Sequence, residues 1–90
     1  MSASSWAFAN GEIVPLEQAR YWPNDLAIIY GDLVYEATRT FRGQPFGLQA
    51  HVERLYRSLR YTHIDPGLTP EELTAASLDV VAKNRPDLPD

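Results

Sequence analysis

Gln49-Ala50-His51-Val52-Glu53-Arg54-Leu55-Tyr56-Arg57-Ser58-Leu59-Arg60-Tyr61-Thr62-His63 is the stretch on which the reading of this chain turns. With Leu48 just before it, Val52, Leu55 and Leu59 recur at helical spacing, and at about 100° per residue the four gather in a narrow arc. Asp65-Pro66-Gly67 supplies the stop. His51, Arg54 and Ser58 form a polar stripe beside the apolar arc, whereas Arg57 and Arg60 point further round, toward solvent.

Upstream, Leu33 to Phe41 reads as a strand. Its period of two puts Leu33, Tyr35, Ala37, Arg39 and Phe41 on one face and Val34, Glu36, Thr38 and Thr40 on the other. Arg42-Gly43-Gln44 turns the chain, and Pro45 to Leu48 returns as a short edge strand, where a proline is tolerated. Nearer the start, Trp6 to Ala9 and Glu12 to Val14 flank Asn10-Gly11, a pair that supplies the positive φ angles of a type I′ hairpin turn. Pro15 ends that hairpin, and the stretch to Asp25 is an irregular connection with one helical turn around Glu17 to Arg20.

Downstream, Thr69-Pro70-Glu71-Glu72 opens a second helix. Thr69 caps it, Pro70 fits its first turn, and Glu72 completes a capping box. Leu73, Ala76 and Val80 mark its buried side, and Pro86 ends it near Asn84. The expectation is an α+β fold, a small antiparallel sheet with two main helices packed on one side. Residues 1–84 form the domain and residues 85–90, with two prolines and two aspartates, a linker.

Composition narrows the function. A 90-residue chain is one small domain, burying roughly 64% of its unfolded surface. Hydrophobic residues at 44% and charged residues at 22% describe a globular chain, and a net charge of −4 lacks the basic stripe of a nucleic-acid binder. With no cysteine, thiolate chemistry and disulfides drop out and the cytoplasm is the default compartment. No apolar run approaches the roughly 20 residues of a membrane span, and no signal peptide opens the chain. His51 and His63 lie twelve apart outside any metal motif, so no metal is expected, and the common hydrolase, dinucleotide and P-loop signatures are absent.

Two constellations remain. Tyr35 and Arg39 share a strand face across the small Ala37, which leaves a recess suited to a carboxylate-bearing ligand. The plainer alternative packs Tyr35 in the core with its hydroxyl at the rim and pairs Arg39 with a nearby acid. Arg54 stands beside the buried stripe, where its fork can bind a phosphate or carboxylate bidentately. Its plainer alternative is an ion pair with Glu53 or Asp65.

Taken in order, Asn10-Gly11-Glu12, Tyr30-Gly31-Asp32-Leu33-Val34-Tyr35-Glu36 and His51-x-x-Arg54-Leu55-x-x-Ser58 resemble the start of the class IV aminotransferases, the fold type IV pyridoxal-phosphate enzymes. That family includes branched-chain aminotransferases, D-amino-acid and R-selective amine transaminases and aminodeoxychorismate lyases. The resemblance implies that Arg54 binds the phosphate of pyridoxal 5'-phosphate. It implies that Tyr35, Arg39 and Tyr30 face the substrate, with Tyr30 reaching across a homodimer interface. The substrates it implies are an amino acid and a 2-oxo acid, of branched-chain type first because Tyr35 and Arg39 are both kept.

Family members carry the cofactor-binding lysine in a larger C-terminal domain. The single lysine here, Lys83, lies outside the matching segment and reads as a solvated helical residue. The chain therefore reads as the N-terminal small domain of such an enzyme, with no catalytic residue of its own and inactive alone. A different class of reading is a non-catalytic interaction module that self-associates through its apolar sheet face.

Overall fold

The computed structural model describes residues 5–88. Two strands, β1 (Trp6–Ala9) and β2 (Glu12–Pro15), pair antiparallel in a register that sets Ala9 against Glu12. Asn10 at φ 53° and Gly11 at φ 89° make the two-residue turn, as a type I′ hairpin requires. The helical turn that follows is a 3-10 turn at Leu16–Gln18, slightly earlier than the sequence places it.

A short helix, α1 (Leu26–Tyr30), is an element that the sequence reading lacks. It is held at both ends. Asp25 accepts a hydrogen bond from the Ala27 N–H at 2.8 Å, and Gly31, at φ 70°, closes the helix in the left-handed conformation. Its five residues are too few for a helical period to register, and Ile28 and Ile29 suggest a strand by propensity.

The expected strand from Leu33 forms only at its end. Strand β3 (Thr40–Phe41) pairs with β4 (Gln44–Pro45) around a turn in which Arg42 and Gly43 both have positive φ. Residues 33–39 keep the alternation of an extended chain: Val34, Glu36 and Thr38 are half-buried, and Leu33, Tyr35, Ala37 and Arg39 are exposed. Yet among the described residues this segment joins no ladder. Pro45 has no N–H to extend the pairing, and after one further bond, from Phe46 N–H to the Arg39 carbonyl at 2.8 Å, the chain turns at Gly47 into a helix. The single expected sheet is accordingly two separate two-stranded hairpins within an α+β domain.

Two longer helices complete the molecule, α2 (Leu48–Tyr61) and α3 (Pro70–Asn84). The capping box at the start of α3 is present in full: Thr69 Oγ1 accepts from the Glu72 N–H at 3.1 Å, and Glu72 Oε1 accepts from the Thr69 N–H at 2.8 Å. The core is centred on Val52, Tyr56 and Leu59, with Val34, Leu48, Leu55, Ile64 and Leu73 packed against it. Tyr56 extends the predicted apolar arc, because its ring is buried while its hydroxyl donates to the Leu68 carbonyl at 2.7 Å. On α3 only Ala76 is buried, and Leu73 and Val80 are half-buried.

Helix α3 touches α2, β1 and β4. Its last residue, Asn84, grips β1: Oδ1 accepts from the Trp6 N–H at 2.8 Å and Nδ2 donates to the Trp6 carbonyl at 2.9 Å. The expected linker begins as a 3-10 turn at Arg85–Asp87, from which Arg85 Nε donates to the Gly43 carbonyl at 3.3 Å. Positions 89 and 90 of that linker lie outside the described residues. Among the described residues, no helix is long and apolar enough to cross a membrane.

Candidate anion site on helix α2

Residues 51 and 54 stand on one face of α2, nearly one turn apart, and that face looks at the extended segment before β3. The alternation of that segment turns Glu36 inward, toward them. The result is a compact cluster. Glu36 Oε2 accepts from Arg54 Nε at 2.6 Å and Oε1 accepts from Arg54 Nη2 at 2.7 Å, a bidentate pair along one edge of the guanidinium. Oε1 also lies 2.7 Å from His51 Nδ1, which donates to it in the tautomer carrying its proton there. In that tautomer the contact from Arg54 Nη2 to His51 Nδ1, at 3.2 Å, is not a hydrogen bond, since both atoms are donors.

The electrostatics follow from these contacts. Hydrogen bonds from Arg54 first and His51 second hold the Glu36 carboxyl down at about 2, so it is ionised across the neutral range. Its own hydrogen bonds to Glu36, and the charge of that carboxylate, push the Arg54 guanidinium above its usual value. Glu36 is the more enclosed partner, with 17% of its side chain exposed against 58% for Arg54. Glu36 thus fixes one edge of the fork, and Nη1 has no hydrogen-bond partner among the described residues. Arg54 also lines an open hollow of about 430 Å³, together with Val34, Arg57, Ser58, Tyr61 and Thr62.

An oriented guanidinium with a free edge is a receptor for a two-oxygen anion. The profile of the amino-transferase class IV family matches residues 33–88, which include both Glu36 and Arg54. The chain belongs to the class IV aminotransferases.

Among relatives of this class IV chain, a Methanocaldococcus jannaschii protein provisionally named as a branched-chain-amino-acid aminotransferase is 35% identical over 77 residues, covering 86% of this chain and 27% of that protein. A D-alanine aminotransferase of Staphylococcus aureus strain N315 is 35% identical over 78 residues, covering 87% of this chain and 28% of the enzyme. The D-alanine aminotransferase of Staphylococcus haemolyticus is 36% identical over 74 residues, or 82% of this chain and 25% of the enzyme. The chain thus spans about a quarter of the length of these relatives.

The candidate residues are not all brought together. Arg54 pairs with Glu36, not with Glu53 or Asp65. Tyr35 and Arg39 do share a face across Ala37, but that face is open: Tyr35 is 82% exposed, so it is not a core residue. The Arg39 guanidinium stands over the Phe41 ring at 5.5 Å from its centroid, with no acid paired to it among the described residues. Tyr30, the last residue of α1, is 74% exposed. Lys83 is an exposed residue of α3, as expected, and its Nζ stands 4.2 Å from the centroid of the Trp6 ring.

Glu36 and His51 are the members of the cluster that sequence reasoning left without a role. The signal was present, because a histidine and an arginine three apart on a helix offer adjacent donors and Glu36 sits on the inward face of a period-two segment. Only the packing of that segment against α2 unites them. Among the described residues, no group of three His, Asp or Glu side chains could hold a metal.

Proposed function

We propose that residues 1–84 are the small N-terminal domain of a pyridoxal-phosphate-dependent transaminase, with residues 85–90 leading into a larger domain that supplies the lysine. The observation that carries this reading is the free edge of Arg54, oriented by Glu36 on the helix that the family profile covers. The donor set fits the phosphate end of the cofactor, since a fixed guanidinium edge matches two phosphate oxygens. When bound, pyridoxal 5'-phosphate supplies the electron sink for moving an amino group between an amino acid and a 2-oxo acid.

The residues of this chain would then divide the work. Arg54 binds and orients the phosphate, Glu36 holds Arg54, and Tyr35, Arg39 and Tyr30 contact the substrate once their exposed face is covered. Their exposure supports this, as does that of Tyr21, Trp22, Leu26, Ile28 and Ile29, large apolar side chains left open in the same span. A second copy in a homodimer and the larger domain are the partners we assign to it. The cysteine-free sequence suits a cytoplasmic enzyme.

A branched-chain amino donor is our first reading, because Tyr35 and Arg39 lie on one face at matching positions. A D-amino acid is the second, favoured by the D-alanine aminotransferases at the same 35% identity. The test begins with the protein made from its own gene, by intact mass and visible absorption. A mass well above 10.2 kDa with a visible band is expected, and a colourless 10.2 kDa protein would overturn the enzyme reading. In the active protein, Tyr35→Phe or Arg39→Ala should raise KM for the amino donor more than the Kd of the cofactor. Equal effects on both would remove these residues from the substrate site.

A further inference from the structure

The charge of Arg54 is already spent. Its bidentate partner Glu36 is ionised at neutrality, so the pair is close to neutral in sum. A phosphate monoester carries nearly two negative charges above its second ionisation, near pH ~6. Arg54 can orient such a group, but another cation is required to match its second charge. On the helix the candidate is one turn away. Arg57 lines the same hollow as Arg54 and Ser58, although the helical period alone directs Arg57 toward solvent.

Nothing among the described residues neutralises Arg57: its guanidinium has no acidic partner there. Glu53, the acid four residues before it, instead accepts from Gln49 Nε2 at 3.4 Å. Arg57 and Arg60 form a like-charge pair at a three-residue step, a spacing that is mildly unfavourable on a helix, while Arg54 three residues earlier is already paired with Glu36. The Ser58 hydroxyl, half-buried in the same wall, adds a neutral donor.

We propose that Arg57 is a second anion contact that makes this site selective for doubly charged phosphate monoesters over singly charged anions. The proposal deepens the assignment of Arg54 to a phosphate and rests on it. The division of roles is specific: Arg54, held by Glu36, sets the orientation of the anion, and Arg57 supplies the unmatched charge.

The experiment titrates the chain with methyl phosphate and, separately, dimethyl phosphate above about pH 7, where the first is doubly and the second singly charged. Binding is read from the arginine Nε–Hε signals and from backbone amides of α2 by NMR. The wild type should bind methyl phosphate more tightly. Arg57→Ala should weaken methyl phosphate about tenfold and leave dimethyl phosphate within about twofold, erasing the preference, as expected for one charge-assisted contact. Arg57→Lys should restore most of it. Arg54→Ala should lose both ligands.

An unchanged preference in Arg57→Ala overturns the proposal and leaves Arg54 in place. Retained binding of both ligands in Arg54→Ala, or no binding by the wild type, overturns the reading of Arg54 itself. Arg57 is exposed, so its variants should keep the wild-type amide spectrum away from α2.

Discussion

The helical half of the molecule and the span from Tyr21 to Phe46 solve the same problem in opposite ways. Helices α2 and α3 close on each other around Val52, Tyr56 and Leu59, and the ends of α3 are tied by the Thr69 capping box and by Asn84. The other span turns its large apolar side chains outward and enters no ladder between Leu33 and Arg39. One region is completed by its own residues. The other leaves its large side chains exposed, and Tyr30, Tyr35 and Arg39 all lie there. Glu36 and Val34 are exceptions: Glu36 anchors the outward-facing span to the closed half through Arg54 and His51, and Val34 packs against the core.

Substitutions should separate the two regions sharply. Leu59→Ala removes a side chain from the centre of the core, and an unfolding titration should show a loss of about 2–5 kcal/mol. The matching change at Leu33, which is exposed, should stay within about 0.5 kcal/mol. Similar costs at the two positions would break the comparison.

Thr69→Ala comes next, at about 1 kcal/mol, since it removes one half of the capping box. Denaturant midpoints with an unchanged slope are the readout.

The anchor itself should be sensitive to acid. The Glu36 carboxyl is lower in the folded chain, at about 2, than its ordinary 4.5, so its contribution to stability is full above pH 4.5 and is lost as pH falls toward 2. Glu36→Gln should flatten that part of the stability profile. In Arg54→Ala, the Glu36 carboxyl followed by NMR should titrate well above 2, nearer 4.5. The effect on stability should be modest, because Arg54 is largely exposed and solvent screens the pair. A Glu36 carboxyl still titrating near 2 without Arg54 would mean that His51 alone holds the anchor.

The smallest effect on stability should come from Tyr35→Phe, which alters only an exposed hydroxyl. A thermal melt outside about 0.5 kcal/mol of the wild type would show that Tyr35 supports the fold.

The same division explains what the sequence discloses. The β1–β2 hairpin, helix α2 and the capped helix α3 rest on local signals: Asn10-Gly11, the spacing of Leu48, Val52, Leu55 and Leu59, and Thr69 with Glu72. Their partners lie within the chain, so local preference and packing agree. The strand from Leu33 carries an equally plain alternation, but a strand needs a neighbour for its N–H and C=O groups, and periodicity does not report whether one exists. Arg54 is legible as an anion fork from its place beside the apolar stripe. Its partner Glu36 is eighteen residues away, and the meeting of the two depends on how the extended segment lies across α2. The hollow beside Arg57 is missed for a related reason, since helical angles give the direction of that residue but not the lining that Val34 adds from the extended segment.

The most direct test of the account is the dissociation constant of pyridoxal 5'-phosphate for the protein made from its own gene, compared between wild type and Arg54→Ala. Loss of a charge-assisted, two-bond contact should weaken binding at least about tenfold, with folding intact by circular dichroism. An unchanged constant in a folded Arg54→Ala protein would contradict the account, because the site on α2 would then hold no phosphate.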